Sequence, residues 1–187
     1  MNVLNVALVG RAFLFFAYPG DISGDQAWLA VDGVANGGVD GLSGATWLAA
    51  AAAGSDVIQW GSDAFAVGGE YWMDAFMGWV PGSMGETSAL ACLIGMIILI
   101  ATQVGSHRTM FGVVLGTAVM AYVLNMAGSE SNPMFAMPFT WHMVVGGWAF
   151  GMVFMATDPV TSAFTDTGKW IYGFGIGVMV VLVRVVN

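Results

Sequence analysis

Residues 110–127 read MFGVVLGTAVMAYVLNMA, an uncharged apolar run. About eighteen such residues are long enough to cross a bilayer as a helix. Gly112 and Gly116 lie one helical turn apart in this run, a small-xxx-small spacing that lets two membrane helices pack closely. The run therefore predicts a packed membrane helix. Two later apolar runs repeat the spacing, at Gly147 and Gly151 and at Gly173 and Gly177.

The composition of the whole chain agrees with this interpretation. Of its 187 residues, 58% are hydrophobic and 9% are charged, whereas soluble domains contain about 25% charged residues. The chain is therefore predicted to sit in a lipid bilayer. Its net charge of −8 excludes a nucleic-acid-binding surface, which requires a basic patch. The single cysteine, Cys92, can form no internal disulfide.

The predicted fold is an all-α polytopic membrane protein, and residues 1–187 form one membrane domain. Glu70–Met77 is predicted to be a short interfacial helix. Residues 159–164 follow Asp158-Pro159, a helix start with proline at the first position. They are too short to span and are predicted to be a surface or re-entrant half-helix. Five runs of about seventeen residues predict the transmembrane helices: 3–17, 88–104, 110–127, 141–156 and 171–186.

Charges in the short connections orient these helices. Arg108 and Lys169 lie in the connections after the second and fourth predicted helices, which places those connections in the cytoplasm. Residues 128–138 and the long segment 20–86 then lie outside. That segment holds nine of the twelve acidic residues and no basic one. Arg184, near the outer end of the last helix, goes against the rule.

Residues 40–46, DGLSGAT, stand in this acidic segment before an alanine run. Ser43 is predicted to be the N-cap of a helix, with Thr46 in the first turn, and Gly54 to end it. The helix start would present an exposed threonine hydroxyl where backbone N–H groups favour an anion such as a phosphate. The alternative is an N-cap with no further role.

Four other residues have two interpretations each. Arg11 in the first helix either faces protein or cofactor, or extends to the membrane interface. Glu86 either completes a capping box with Ser83 or handles a cation near the bilayer. Asp158 either caps a broken helix or binds Na⁺. A lone His142 is more typical of a hydrogen bond to a loop than of a redox ligand.

Six separated blocks of the chain together show a resemblance to a known family. The chain resembles the NqrB subunits of the bacterial sodium-translocating NADH:quinone oxidoreductases and the related RnfD subunits of the Rnf ferredoxin-oxidising complexes. Six blocks in order are far more specific than any single motif. They are residues 2–19 (NVLNVALVGRAFLFFAYP), 40–46 (DGLSGAT), 82–90 (GSMGETSAL), 131–137 (SNPMFAM), 154–160 (FMATDPV) and 167–187 (TGKWIYGFGIGVMVVLVRVVN).

The resemblance implies a flavin site. The last threonine of the family motif carries FMN through a phosphate ester, which maps onto Thr46, and an FMN transferase attaches it outside the cytoplasm, on the periplasmic side. Ser43, Gly44 and Ala45 would keep the backbone close to the phosphate. Asp40 would assist the transferase or orient the turn. Arg11 would offset the negative charge of a reduced flavin if it faces inward.

The resemblance also implies a function. The subunit lies in the bacterial inner membrane within a six-subunit redox complex. It takes electrons from a second covalent-FMN subunit and passes them through non-covalent riboflavin towards ubiquinone, coupled to Na⁺ export. The Na⁺ candidates are Glu86 and Asp158. Two alternatives stay open: the RnfD subunit, with ferredoxin as donor and NAD as acceptor, and a flavin-free channel of the urea-transporter type.

The implied fold is similar to that of urea and ammonium transporters, which contain two inverted five-helix repeats with broken helices. Family members are about twice as long as this chain, so it corresponds to a C-terminal half. Without the facing repeat, the inner faces of its helices would lack partners. An isolated 187-residue product is therefore expected to be unstable and inactive on its own.

Overall fold

The computed structural model describes residues 5–18, 46–54, 60, 62–80, 87–129 and 132–186, and every regular element within these ranges is helical. Short 3₁₀ turns lie at Asp63–Phe65 and Pro133–Ala136, and a π-helical turn, Gly151–Met155, directly continues α7. The all-α prediction is confirmed for this part of the chain. The helices are α1 (Val6–Ala17), α2 (Trp47–Ala52), α3 (Glu70–Met77), α4 (Ala89–Ala101), α5 (His107–Ala127), α6 (Phe139–Val144), α7 (Trp148–Phe150) and α8 (Asp166–Val186).

Two of these helices, α5 and α8, are long and apolar enough to cross a membrane. They contain the predicted spans 110–127 and 171–186. α1 and α4 are shorter apolar helices, so the predicted spans 3–17 and 88–104 are only partly helical among the described residues. α4 starts after Ser88, whose hydroxyl accepts a hydrogen bond from the Ala91 N–H at 3.2 Å. The predicted start of this span at Ser88 is therefore confirmed, whereas the predicted capping box of Ser83 with Glu86 lies outside the described residues. The helix predicted at Glu70–Met77 is confirmed as α3.

α5 and α8 pack side by side in the same direction through their glycines. A Cβ on Gly112 would lie 2.9 Å from the Trp170 carbonyl oxygen, and one on Gly177 would lie 2.6 Å from the Thr117 nitrogen. Side chains at these positions would force the two backbones apart. The predicted packing role is therefore confirmed for both glycine pairs of α5 and α8.

Different polar contacts hold the two ends of this helix pair together. At the N-terminal ends, Arg108 Nη1 donates to Asp166 Oδ1 at 2.5 Å. At the C-terminal ends, Asn132 Nδ2 donates to the Val185 carbonyl oxygen at 2.6 Å. Arg108 therefore lies near the start of α8, which contains Lys169, and α2 packs on Pro133–Ala136 at the other end. The loop charges predicted that Arg108 and Lys169 lie at one end and that the Thr46 segment lies with residues 128–138 at the other. The membrane side that each end faces stays a prediction.

The predicted continuous helix at 141–156 is wrong. α6 ends at Val144 and α7 begins at Trp148, because Gly146 and Gly147 have left-handed φ values of +74° and +66°. Glycine adopts this conformation without a Cβ penalty, so the glycine pair breaks the helix. Gly151 has no atom within 4 Å of an added Cβ, so this third glycine pair is not a packing face.

The predicted half-helix at 159–164 is also wrong. Residues 157–165 form turns and bends, with the Ser162 N–H donating to the Asp158 carbonyl oxygen at 3.0 Å. The half-helices of the described chain are instead α6 and the segment formed by α7 with its π turn. Short helices that break inside a membrane protein are typical of transporter-like folds. The inverted-repeat arrangement itself stays a prediction.

The buried core has two parts. The larger one surrounds Trp141 and joins α2, α3 and α6 to the ends of α5 and α8. The second lies around Val113, Met152 and Val153 and joins α4 and α5 to the π turn. The helix break lies beside both parts, because Val145 belongs to the first and Trp148 to the second.

Candidate functional site

Thr46 directly precedes α2 and is only 7% exposed. Its carbonyl oxygen accepts from the Ala50 N–H at 2.9 Å, which places Thr46 at the N-cap position rather than in the first turn. The expected exposed hydroxyl is therefore wrong, because the chain enters α2 against the core. Gly54, with φ +68°, follows the end of α2 at Ala52, so the predicted helix stop is confirmed.

The rest of the predicted flavin motif lies outside the described residues. These positions are Asp40, Ser43, Gly44 and Ala45. Their predicted contacts with a phosphate stay predictions. Glu86 also lies outside the described residues, so its capping and cation-handling roles stay open.

An aromatic cluster begins at Trp47, the residue that follows Thr46 in the chain. It consists of Trp47, Trp60, Phe65, Tyr71 and Trp141. Trp47 and Trp141 are stacked, with ring centroids 5.6 Å apart and an interplanar angle of 12°. Trp141 is fully buried, and its Nε1–H donates to the Phe65 carbonyl oxygen at 2.6 Å. The cluster therefore fixes α2 against α6.

The sequence pattern did not predict this cluster. Tryptophan is also common at membrane surfaces, so Trp60 by itself indicates no contact with the core. The available signal was the density of aromatic residues between positions 47 and 79. Their partner Trp141 lies 76 positions beyond Phe65, and no local pattern indicates that contact.

Arg184 of α8 binds the helix break. Its Nη1 donates to the His142 carbonyl oxygen at 2.9 Å, and its Nη2 donates to the Gly146 carbonyl oxygen at 2.8 Å. Backbone carbonyls at membrane depth must be satisfied within the protein, and a cation is favoured near a helix C-terminus such as that of α6. Arg184 violates the loop-charge rule because it is a ligand of backbone carbonyls rather than a loop charge.

Two further side chains lie in the segments on either side of the break. Trp148 Nε1 donates to Thr117 Oγ1 of α5 at 3.0 Å, and both residues are buried. His142 is 1% exposed, and its Nδ1 has no hydrogen-bond partner among the described residues. Its side chain therefore shows no loop hydrogen bond at Nδ1, while its carbonyl is held by Arg184.

A cavity of about 550 Å³ lies beside the break, between α1, the π turn and α8. Gly146, Gly147 and Arg184 lie at its polar part, and its walls include Leu8 and Tyr172. Its volume falls within the range of about 300–1,000 Å³ that is typical of ligand pockets. A ligand with an apolar body and a hydrogen-bonding edge fits this lining.

Asp158 connects α1 to the turn that follows the π segment. Its Oδ2 accepts from Asn5 Nδ2 at 2.9 Å and from Thr161 Oγ1 at 2.8 Å, and the Val160 N–H lies 3.4 Å from Oδ1. Asn5 in turn caps α1. This geometry is that of a turn residue; residues 159–165 form no helix that Asp158 could cap.

The other predicted charge sites have simpler surroundings. Arg11 is exposed on α1, whereas Leu8 is the α1 residue that lines the cavity. Among the described residues, no group of three or more histidine, cysteine, aspartate or glutamate side chains is placed to hold a metal ion. The hydrogen bonds of Asp158 are with Asn5, Val160 and Thr161.

A sequence model of the NQR2, RnfD, RnfE family matches residues 1–187. The chain belongs to the NQR2, RnfD, RnfE family. Within this family it is 57% identical over 186 residues to the NqrB subunit of the Na(+)-translocating NADH-quinone reductase of Pseudomonas aeruginosa (strain LESB58). The corresponding subunits of Ectopseudomonas mendocina (strain ymp) and Chromohalobacter salexigens are 55% and 54% identical.

These matches cover the whole chain but only part of each relative. They include 100% of this chain, 43% of the Pseudomonas and Ectopseudomonas proteins and 42% of the Chromohalobacter protein. The chain thus spans about two fifths of the length of the curated relatives that it matches. The family model matches the whole of this chain and establishes its family. The activity of the longer relatives is a proposal for this chain.

Proposed function

We propose that this chain acts as part of the NqrB membrane subunit of a Na⁺-translocating NADH:quinone reductase, with FMN bound covalently to Thr46. The observation that carries the proposal is 57% identity to such a subunit over the whole chain, together with the DGLSGAT motif that ends at Thr46. The relatives' names favour this complex over the Rnf alternative.

The proposed attachment is a phosphoryl transfer from FAD. Thr46 Oγ attacks the phosphorus on the riboflavin side of the pyrophosphate, a new P–O ester bond forms, AMP leaves, and the hydroxyl proton is released. Because Thr46 is 7% exposed, the transferase must act before α2 packs into the core. Ser43, Gly44 and Ala45 are small residues that would let the backbone approach the phosphate.

The surroundings of Thr46 support a flavin at this position. Backbone N–H groups at the start of α2 favour an anion, and the aromatic cluster begins at the next residue with the Trp47–Trp141 stack. Aromatic rings stack favourably on other flat rings. When bound, FMN supplies the electron-carrying chemistry; the protein supplies position and electrostatics.

We propose the cavity beside the break as the site of the non-covalent riboflavin. Its apolar walls fit a flat aromatic ring system, and Arg184 with the backbone of Gly146 and Gly147 offers a polar edge. Arg184 is then better placed than Arg11 to offset negative charge on a flavin, since Arg11 is exposed on α1.

The remaining steps follow from the same proposal. Electrons would arrive from a second covalent-FMN subunit and leave through riboflavin towards ubiquinone, coupled to Na⁺ export across the bacterial inner membrane. Thr46 would lie on the periplasmic side. Asp158 and Glu86 stay the Na⁺ candidates, although the hydrogen bonds of Asp158 to Asn5 and Thr161 favour a role in the turn.

Flavin fluorescence on a denaturing gel tests the attachment. The full-length subunit is produced with its FMN transferase, and a fluorescent band is expected for the unsubstituted protein and for Thr102→Ala, which changes an exposed threonine at the end of α4. Thr46→Ala is expected to lose the band. A band that survives Thr46→Ala would rule out Thr46, and a dark unsubstituted protein would favour the flavin-free channel.

A further inference from the structure

The helix break leaves carbonyl groups that no helix can satisfy. At the end of α6, the Trp141 carbonyl accepts from the Val145 N–H at 3.2 Å, but the His142 and Gly146 carbonyls accept from Arg184. Both bonds come from one guanidinium group, whose planar fork is suited to two acceptors at once. A single residue of α8 therefore satisfies carbonyls on both sides of Val145.

Gly146 is also in close contact with Leu48. A Cβ added to Gly146 would lie 2.8 Å from Arg184 Nη2 and 2.8 Å from Leu48 Cδ2. Leu48 belongs to α2 and follows Thr46 by two residues. The backbone of the break is therefore in contact with both the α8 guanidinium and the first turn of α2.

The same groups form part of the cavity. Gly146, Gly147, Trp148 and Arg184 all line it. If the break moved relative to α8, the polar part of the cavity would change shape at once, because the Gly146 carbonyl and the Arg184 guanidinium are bonded to each other.

We propose that Arg184 is a positioning residue that fixes the backbone of the break between α6 and α7 and thereby sets the shape of the cavity, with Leu48 as a second support that packs against the same glycine. The segment that begins at Thr46 and the cavity beside α8 are then mechanically joined through Gly146. The proposal concerns backbone geometry and requires no flavin at either site, so it stands or falls separately from the proposed function.

Thiol labelling of a cavity residue tests this proposal in the full-length subunit in membranes. Met155, which lines the cavity, is replaced by cysteine in a Cys92→Ser background, and its reaction rate with a small membrane-permeant maleimide is measured. Arg184→Met is expected to change this rate by at least about fivefold, the lower end of typical coupling between sites. Arg184→Lys, which retains the charge but loses the planar fork, is expected to restore part of the difference.

Two controls separate this effect from general damage. Arg108→Met removes the arginine at the other end of α5 and α8 and is expected to leave Met155→Cys labelling unchanged. A reporter at Leu115→Cys, on the exposed face of α5, is expected to label equally with and without Arg184. Leu48→Ala is expected to shift Met155→Cys labelling in the same direction as Arg184→Met, but less.

An unchanged Met155→Cys rate in Arg184→Met would overturn the proposal, because the break would then keep its shape without the guanidinium. If Arg184→Met does not accumulate in membranes, Arg184→Gln is the second variant. Its shorter, neutral side chain cannot bridge both carbonyls, so an unchanged rate there has the same meaning. A Leu48→Ala rate equal to that of the unsubstituted reporter would overturn the link to α2.

Discussion

The glycine interface between α5 and α8 allows a matched comparison within one helix. Gly177 and Gly175 both lie in α8, two residues apart. A Cβ on Gly177 would meet the backbone of α5, including the Thr117 nitrogen at 2.6 Å and the Gly116 carbonyl carbon at 3.0 Å, whereas a Cβ on Gly175 would have no atom within 4 Å. Replacing each glycine by alanine therefore adds the same methyl group in two different environments.

The expected magnitudes follow from these distances. Both substitutions gain helix propensity, worth about 1 kcal/mol relative to glycine, and this gain cancels in the comparison. Gly177→Ala alone overpacks the interface against backbone atoms that cannot rotate away, which costs about 1–3 kcal/mol. We therefore expect Gly177→Ala to be less stable than Gly175→Ala by roughly that amount.

Thermal unfolding of the purified full-length subunit in detergent is a suitable assay. Gly175→Ala is expected to unfold at or slightly above the temperature of the unsubstituted protein, and Gly177→Ala clearly below the temperature of Gly175→Ala. Equal unfolding temperatures for the two variants would refute the close parallel packing of α5 on α8, because the added methyl group would then meet no backbone at either position.

Three further substitutions test individual contacts by the same unfolding assay. Thr117→Val leaves the buried Trp148 indole N–H without its acceptor and should destabilise the fold by about 1–3 kcal/mol; little change would show that this bond is dispensable. Trp141→Phe should cost at least about 0.5–1.5 kcal/mol for the lost bond to Phe65, whereas Trp170→Phe on the exposed face of α8 should cost little; similar losses would argue against the aromatic cluster. Asp158→Ala removes the acceptor of the Asn5 and Thr161 hydrogen bonds and should cost about 0.5–1.5 kcal/mol per bond, with unchanged Na⁺ dependence of turnover; a shifted Na⁺ dependence would instead favour a cation site.

The sequence allowed α5 and α8 to be predicted well, because each is a long apolar run whose glycine spacing indicates a packing face. Apolarity alone did not distinguish one helix from two half-helices at residues 141–156. The signal was present in the adjacent Gly146 and Gly147, but two glycines in an apolar run also occur in continuous membrane helices. The tertiary bonds from Arg184 are what make the break stable.

The candidate site was predictable in part. The DGLSGAT motif indicated a helix start near Thr46, but Ser43 and Thr46 are both good capping residues, and the helix uses the later position. Thr46 is buried, and the next residue, Trp47, stacks on Trp141, almost a hundred positions away. Long-range contacts of this kind leave no periodic pattern in the chain.

The attachment of FMN to Thr46 is tested most directly by peptide mass spectrometry. The full-length subunit is produced with its transferase and digested, and the peptide containing residues 40–54 is fragmented. We expect a mass increase equal to FMN minus water, localised to Thr46, with every other residue of the peptide unmodified. An unmodified Thr46 in flavin-containing, active enzyme, or FMN localised to Ser43 or another residue, would contradict the proposed function.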